Sequence, residues 1–296
     1  MSTPLFPAPN RLTTPLEPAF ASATASRARR QALDANDYGQ VAVAVASSCG
    51  TQHPVNEDAH SALDGPGRLF VVADGVGGGA MAQTASRLLV LQLHEALDPA
   101  PIDAESVRAA VLDADRTIAG AIARVTARPG AATVAMCAPA DVSAARWLIA
   151  WVGDCRAYRI AMAAEPGIDL LTCDDTFANL GEAPPPGGSL DDPARMVGNG
   201  AVSGANVALH DLARGDVLAL CSDGVHKHVE VADWCRLLAQ RVPLARICQE
   251  LIAVARTNGS RDDATVLLLQ RARAPQPGLR RTGRTAGPAG SARRER

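Results

Sequence analysis

Three apolar runs in this chain end on an aspartate: LFVVA leads to Asp74, LIAWVG to Asp154 and VLALCS to Asp223. Two further acidic corners complete the pattern. Asp262 and Asp263 stand immediately before ATVLLL, and Asn56, Glu57 and Asp58 follow the first apolar run, Val41–Ala46. Short, uniformly apolar runs bounded by Gly, Asp or Ser read as strands covered on both faces. Where neighbouring strands are antiparallel, the end of one and the start of the next share an edge. Acids far apart in the chain then meet at one end of a sheet.

Such a meeting sets its own chemistry. Two carboxylates about 4 Å apart repel by roughly 4 kcal/mol at an effective dielectric of about 20, so several in one cleft need positive charge among them. The seven cysteines (Cys49, Cys137, Cys155, Cys173, Cys221, Cys235 and Cys248) are scattered, never form C-x-x-C and supply no ligand cluster beside the acids. They read as reduced core residues, not as a disulfide frame or a zinc site. An oxygen-only donor set suits Mg²⁺ or Mn²⁺, and one bridging aspartate permits a pair of ions. Taken singly, Asp74-Gly75 and Asp223-Gly224 are also what an ordinary turn uses. Their joint occurrence with the other acidic corners carries the functional reading.

Charge and composition narrow the alternatives. Residues 1–37 and 273–296 carry formal charges of +1 and +6 against −2 for the whole chain, which leaves about −9 for residues 38–272. An acidic body with only 3% aromatics argues against a nucleic-acid groove or a base-stacking platform. No stretch approaches the roughly 18 apolar residues of a membrane span, and no basic-then-apolar leader opens the chain, so a cytoplasmic location is expected.

Residues 1–37, with five prolines in the first twenty positions, and 273–296, rich in Gly, Pro and Arg, are expected to be disordered tails around one domain at 38–272. Helical patterns over Met81–Leu97 and Ala104–Thr126 follow each other without an intervening strand, and Val231–Arg241 and Pro243–Arg256 form a second pair. Strands grouped around consecutive helices favour an α+β layered fold with mainly antiparallel sheets. Residues 178–208, with Pro184, Pro185 and Pro186 followed by two glycines, read as a short flap-like insertion.

The blocks NEDAH (56–60), ADGVGG (73–78), GAATVA (130–135), VGDCRAY (152–158), LCSDGV (220–225) and SRDDATVLL (260–268) occur in that order. Over residues 38–271 the chain resembles the metal-dependent Ser/Thr protein phosphatases of the phosphatase 2C type, and in particular its bacterial members. The resemblance implies a four-layer αββα sandwich with a dinuclear Mg²⁺ or Mn²⁺ centre. It implies Asp74 as the bridging ligand, Glu57 and the Gly75 carbonyl on one metal, and Asp223 and Asp262 on the other. Asp58 would act through water, and Asp154 would be an accessory acid for a weaker third metal. The implied reaction is hydrolysis of phosphoserine or phosphothreonine in proteins by a metal-bridged hydroxide, with Asp74, Asp223 and Asp262 as the catalytic set. The implied partners are a phosphorylated protein and a cognate Ser/Thr kinase, with the phosphatase itself a monomer.

The chain also departs from the family pattern. His53 stands where the family places a phosphate-binding Arg, which removes a bidentate fork and predicts weak phosphate binding. Asp175 replaces a common His, and Asp263 replaces the Asn usual after the last ligand. Two other readings stay open at this stage. A phosphoprotein-binding pseudophosphatase would keep the fold without turnover. A dinucleotide site is suggested by Gly75-Val76-Gly77-Gly78-Gly79-Ala80, which fits G-x-G-x-x-A with Glu95 about 20 residues on. His226 and His228 are expected to be exposed after the Ser-Asp-Gly turn, and Lys227, the sole lysine, reads as compositional bias.

Overall fold

Strands as apolar as these cannot leave either face in water, and the computed structural model resolves that demand with two stacked sheets and a helical layer outside each. It describes residues 27–32, 40–63, 68–77, 80–99, 101–127, 130–141, 143–162, 167–240 and 242–271. The first sheet runs β1 (Arg27–Ala32), β2 (Gln40–Ser48), β11 (Ala264–Arg271), β10 (Val217–Cys221), β7 (Arg156–Ala161) and β8 (Gly167–Leu170) in spatial order. The second runs β3 (Ala59–His60), β4 (Phe70–Val76), β5 (Ala131–Pro139), β6 (Arg146–Val152) and β9 (Asn206–Asp211). Every pairing is antiparallel.

The two-residue period of a strand distributes the core. On β2, Val43 and Val45 point between the sheets, where they join Phe70, Val72, Trp147, Ile149, Leu218 and Leu267. Ala44 and Ala46 point outward, beneath α4 (Asp223–His226), α5 (Val231–Ala239) and α6 (Leu244–Thr257), with Trp234, Cys248 and Leu251. The second sheet repeats this arrangement: Val71, Ala73, Val134 and Met136 face α1 (Ala80–Leu97) and α2 (Ala104–Ala123) through Leu89, Leu93, Val111 and Ile118. Small outward residues let the helices lie close, as the Cys248 Sγ to Ala44 carbonyl contact of 3.7 Å records.

Several expectations need correction. The tail anticipated over residues 1–37 is ordered in part, because Arg27–Ala32 lies beside β2 with Arg27 opposite Val45 and Ala32 opposite Gln40. An edge strand is held by backbone hydrogen bonds to its neighbour and needs no apolar period of its own. The rest of that segment, and 273–296, fall outside the described residues. The dinucleotide fingerprint fails on topology: β4 lies between β3 and β5, both antiparallel to it, and Glu95 sits inside α1. Its fingerprint needs a parallel neighbour strand. Of the seven free cysteines, Cys137, Cys155, Cys221 and Cys248 are buried, whereas Cys49 and Cys173 are exposed. The insertion opens with α3 (Phe177–Leu180), is tied to itself by Ala178 N–H to the Leu190 carbonyl (2.8 Å), and bridges to β5 at Val197 and Ala132 before β9 begins.

Candidate metal centre

Both sheets contribute to one end of the sandwich. Asp74 comes from β4 and Asp154 from the turn between β6 and β7, both tied to the second sheet. Asp223 opens α4 directly after β10, and Asp262 precedes β11, the antiparallel neighbour of β10 in the first sheet. Glu57 and Asp58 lie on the link from β2 to β3, the segment that crosses from one sheet to the other.

Close backbone passage makes this possible. Gly75 N–H donates to the Glu57 carbonyl at 3.2 Å, and a Cβ at Gly75 would stand 2.5 Å from the Ala82 carbonyl oxygen and 2.8 Å from that of Glu57. Only glycine fits. The Glu57 carbonyl also accepts the Ser86 hydroxyl (2.5 Å), and its N–H donates to Asp263 Oδ2 (2.5 Å). Asp263 Oδ1 accepts the Gly50 N–H at 2.6 Å, so this side chain laces the Glu57 loop to the start of β11.

The carboxylates sit in one another's fields. Burial, followed by repulsion from Asp58, Asp223, Asp154 and Asp262, raises the Asp74 pKa well above the ordinary value. Asp58 is 5% exposed, and burial outweighs the hydroxyls of Thr265 and Ser222 to push its pKa up to about 8. Burial and the Asp223 charge lift Asp154 to about 6 despite Lys227, and burial with Asp223 also raises Asp262. Asp223 is the exception: burial opposes its ionisation, but the Lys227 ammonium, at 2.7 Å from Oδ2, holds its carboxyl below the usual range. Within this set burial and mutual repulsion favour the neutral form of Asp74, and the Lys227 ammonium favours the charged form of Asp223. Asp58, Asp154, Asp223 and Asp262 thus all stand within electrostatic reach of Asp74.

Other groups at the site carry weaker or different signals. His53 Nδ1 lies 3.3 Å from Glu57 Oε1, with the imidazole about one-third exposed (35%) at the rim. His226 is buried, not exposed as the turn suggests. Its Nε2 donates to the Asp154 carbonyl at 2.9 Å, and burial, aided by Arg156, lowers its pKa to about 4. Arg156 forks onto Asp174 (2.9 and 2.7 Å) and braces β7. Ser222 and Lys227 were missed in sequence. Ser222 Oγ donates to Asp58 Oδ2 at 2.7 Å, and Lys227 bridges Asp223 and Asp154. A capping position before Asp223 was a legible signal for Ser222; nothing in sequence placed the Lys227 ammonium.

Does this arrangement fit a hard cation? Among the described residues no group of three or more His, Cys, Asp or Glu side chains stands close enough together to hold a metal ion. The Lys227 ammonium holds Asp223 and Asp154 together instead. The unsatisfied oxygens nevertheless mark the demand: Asp58 Oδ1 and Asp223 Oδ1 are buried without a hydrogen-bond partner. Acceptor-only orphans amid mutually repelling acids are what a divalent cation with oxygen ligands relieves. The donor set fits.

No protein-family model matches the chain, and no curated protein matches it. Solved structures do. The Mycobacterium tuberculosis serine/threonine phosphatase PstP/Ppp is 24% identical, with 79% of this chain and 99% of that chain covered and a TM-score of 0.66. The PPM Ser-Thr phosphatase MsPP from Mycobacterium smegmatis, in complex with cacodylate, is 25% identical over 78% of this chain and 98% of that one, with a TM-score of 0.64. Stp1 from Staphylococcus aureus is 23% identical over 78% and 95%, at a TM-score of 0.65. The chain has the fold of these bacterial Ser/Thr phosphatases, an α+β sandwich of antiparallel sheets and helices.

Proposed function

We propose that this chain, built on the PPM phosphatase fold, is a Mg²⁺- or Mn²⁺-dependent protein phosphatase that hydrolyses phosphoserine and phosphothreonine in proteins. The observation that carries the reading is the meeting of Asp58, Asp74, Asp154, Asp223 and Asp262 from both sheets in one mutually repelling group with orphaned carboxylate oxygens. A structure of the PstP catalytic domain holds two manganese ions, which supports a two-cation centre.

In this reading Asp74, Glu57 and the Gly75 carbonyl, together with Asp223 and Asp262, would hold the two cations. Asp58 would assist through water, and Asp154 would stand beside the pair as a flanking acid. When bound, a pair of divalent ions acidifies water and neutralises the charge of a phosphoryl group. The chain's own residues supply the rest. Asp263 and Ser86 fix the Glu57 backbone, Ser222 orients Asp58, and His53 at the rim would meet a substrate phosphate. The absence of a covalent nucleophile from this scheme makes positioning and electrostatics the whole of the protein's contribution. We read the chain as cytoplasmic, monomeric and paired with a Ser/Thr kinase in signalling. Among the described residues no helix is long and apolar enough to cross a membrane.

A binding-only reading has one observation in its favour: His53 stands where the implied phosphate-binding Arg is missing. The discriminating measurement is Mn²⁺-dependent hydrolysis of a phosphothreonine peptide. Chelator is expected to abolish it, and Asp223→Asn to lower kcat/KM at least about a hundredfold, the scale of several kcal/mol of lost charge stabilisation. Bound Mn²⁺ without turnover would favour the binding role.

A further inference from the structure

The acidic group already contains one cation of its own. Lys227 is the single lysine among 29 Lys and Arg residues. It closes the one-turn helix α4, its N–H donating to the Asp223 carbonyl at 3.0 Å, and this turn folds its side chain back over Asp223. The ammonium lies 2.7 Å from Asp223 Oδ2 and 3.4 Å from Asp154 Oδ2. Asp154 itself is 3% exposed, and its backbone carbonyl accepts a hydrogen bond from His226 Nε2 at 2.9 Å. A compact ammonium can serve two carboxylates that are not coplanar, which a planar guanidinium does less well.

The geometry splits Asp223 between two tasks. Its Oδ2 is taken by Lys227, while its buried Oδ1 has no hydrogen-bond partner. Asp58 Oδ1 is likewise buried without a partner. The uncompensated oxygens thus belong to Asp58 and Asp223, and the Asp154 flank is compensated from within the chain.

We infer that Lys227 is a built-in cation that closes the Asp154 side of the acidic centre to metal, so that this protein takes up two divalent ions and not a third. Lys227 is accordingly a positioning residue that acts through Asp154 and Asp223. The inference rests on the two-cation reading given under Proposed function. It removes Asp154 from the set of metal ligands in the natural protein and makes its carboxylate available only when the ammonium is absent.

The test counts ions without using activity. The full chain, stripped with chelator and re-equilibrated with Mn²⁺, is assayed by equilibrium dialysis with free Mn²⁺ read by electron paramagnetic resonance. The natural protein is expected to hold two Mn²⁺ and Lys227→Met three, with Lys227→Arg remaining at two. Asp154→Asn alone is expected to leave the count at two and Mn²⁺ affinities within about threefold, and to remove the third ion from Lys227→Met. A third ion in the natural protein, an unchanged count in folded Lys227→Met, or loss of an ion in Asp154→Asn would overturn the inference. The Asp154→Asn arm decides the matter if Lys227→Met does not fold. Failure of the underlying reading looks different, since the natural protein would then bind no Mn²⁺ at all.

Discussion

Under the proposed function, His53 is the residue on which substrate affinity would turn. It faces Glu57 at 3.3 Å and remains partly open to the rim, so a phosphate arriving there meets an imidazole in place of a guanidinium fork. Replacing a single imidazole contact by a charged bidentate one is worth about 1–2 kcal/mol. His53→Arg is therefore expected to raise kcat/KM for a phosphothreonine peptide about tenfold at pH 8, chiefly through KM, in initial-rate assays with saturating Mn²⁺. An unchanged KM would remove His53 from the phosphate path. The same scale shows what sequence could and could not carry. Asp74, Asp223 and Asp262 were legible because each adjoins an apolar strand, and strand ends have a known address. Lys227 was not, because its place depends on a side chain folding back over one helical turn. Asp263 was legible only as a departure at its position; its lacing of Gly50 and Glu57 depends on the β2 to β3 link returning to the start of β11.

At the level of elements, detection followed burial on both faces. The strands β4, β6, β10 and β11 are almost continuously apolar and lie within a few residues of the apolar runs read in the sequence, as do both helix pairs. By contrast, β7 (RAYRIA) carries two arginines, and β8 and β9 are edge strands with largely exposed faces, so neither apolar run nor clean alternation announced them. These three strands complete the two sheets, and without them Asp154 and Asp223 cannot be related in space. A close joint between elements lies at Gly75, where β4, the start of α1 and the Glu57 loop pass one another. Gly75→Ala must push apart backbone on both sides, and overpacking of this kind costs about 1–3 kcal/mol. Its urea midpoint is expected to fall accordingly, and its Mn²⁺ affinity to fall with it because Glu57 shifts. A variant as stable as the natural chain with undiminished Mn²⁺ binding would show that the passage has more room than the backbone distances allow.

The whole molecule balances a well-packed sandwich against an acidic end that opposes folding when it is fully charged. For carboxyls whose folded pKa is raised, the native state holds protons that the unfolded chain releases near pH 4, so stability falls as pH rises. Asp58, at about 8, and Asp154, at about 6, set a window from about pH 4 to about pH 8, with Asp74 and Asp262 shifted in the same direction. Asp223 works oppositely, its depressed pKa adding stability that is lost only when the pH falls below the ordinary carboxylate value. Metal-free protein is thus expected to lose stability between pH 5 and pH 8, by an amount on the order of a few kcal/mol. Divalent cations compete with those protons, so saturating Mn²⁺ should remove the loss and stabilise most at the alkaline end. Urea unfolding followed by the fluorescence of buried Trp147 and Trp234, in chelator and in Mn²⁺ at each pH, measures both slopes. A flat profile in chelator would mean that the acidic end is already neutralised within the chain, and the case for cations at Asp58 and Asp74 would fall with it.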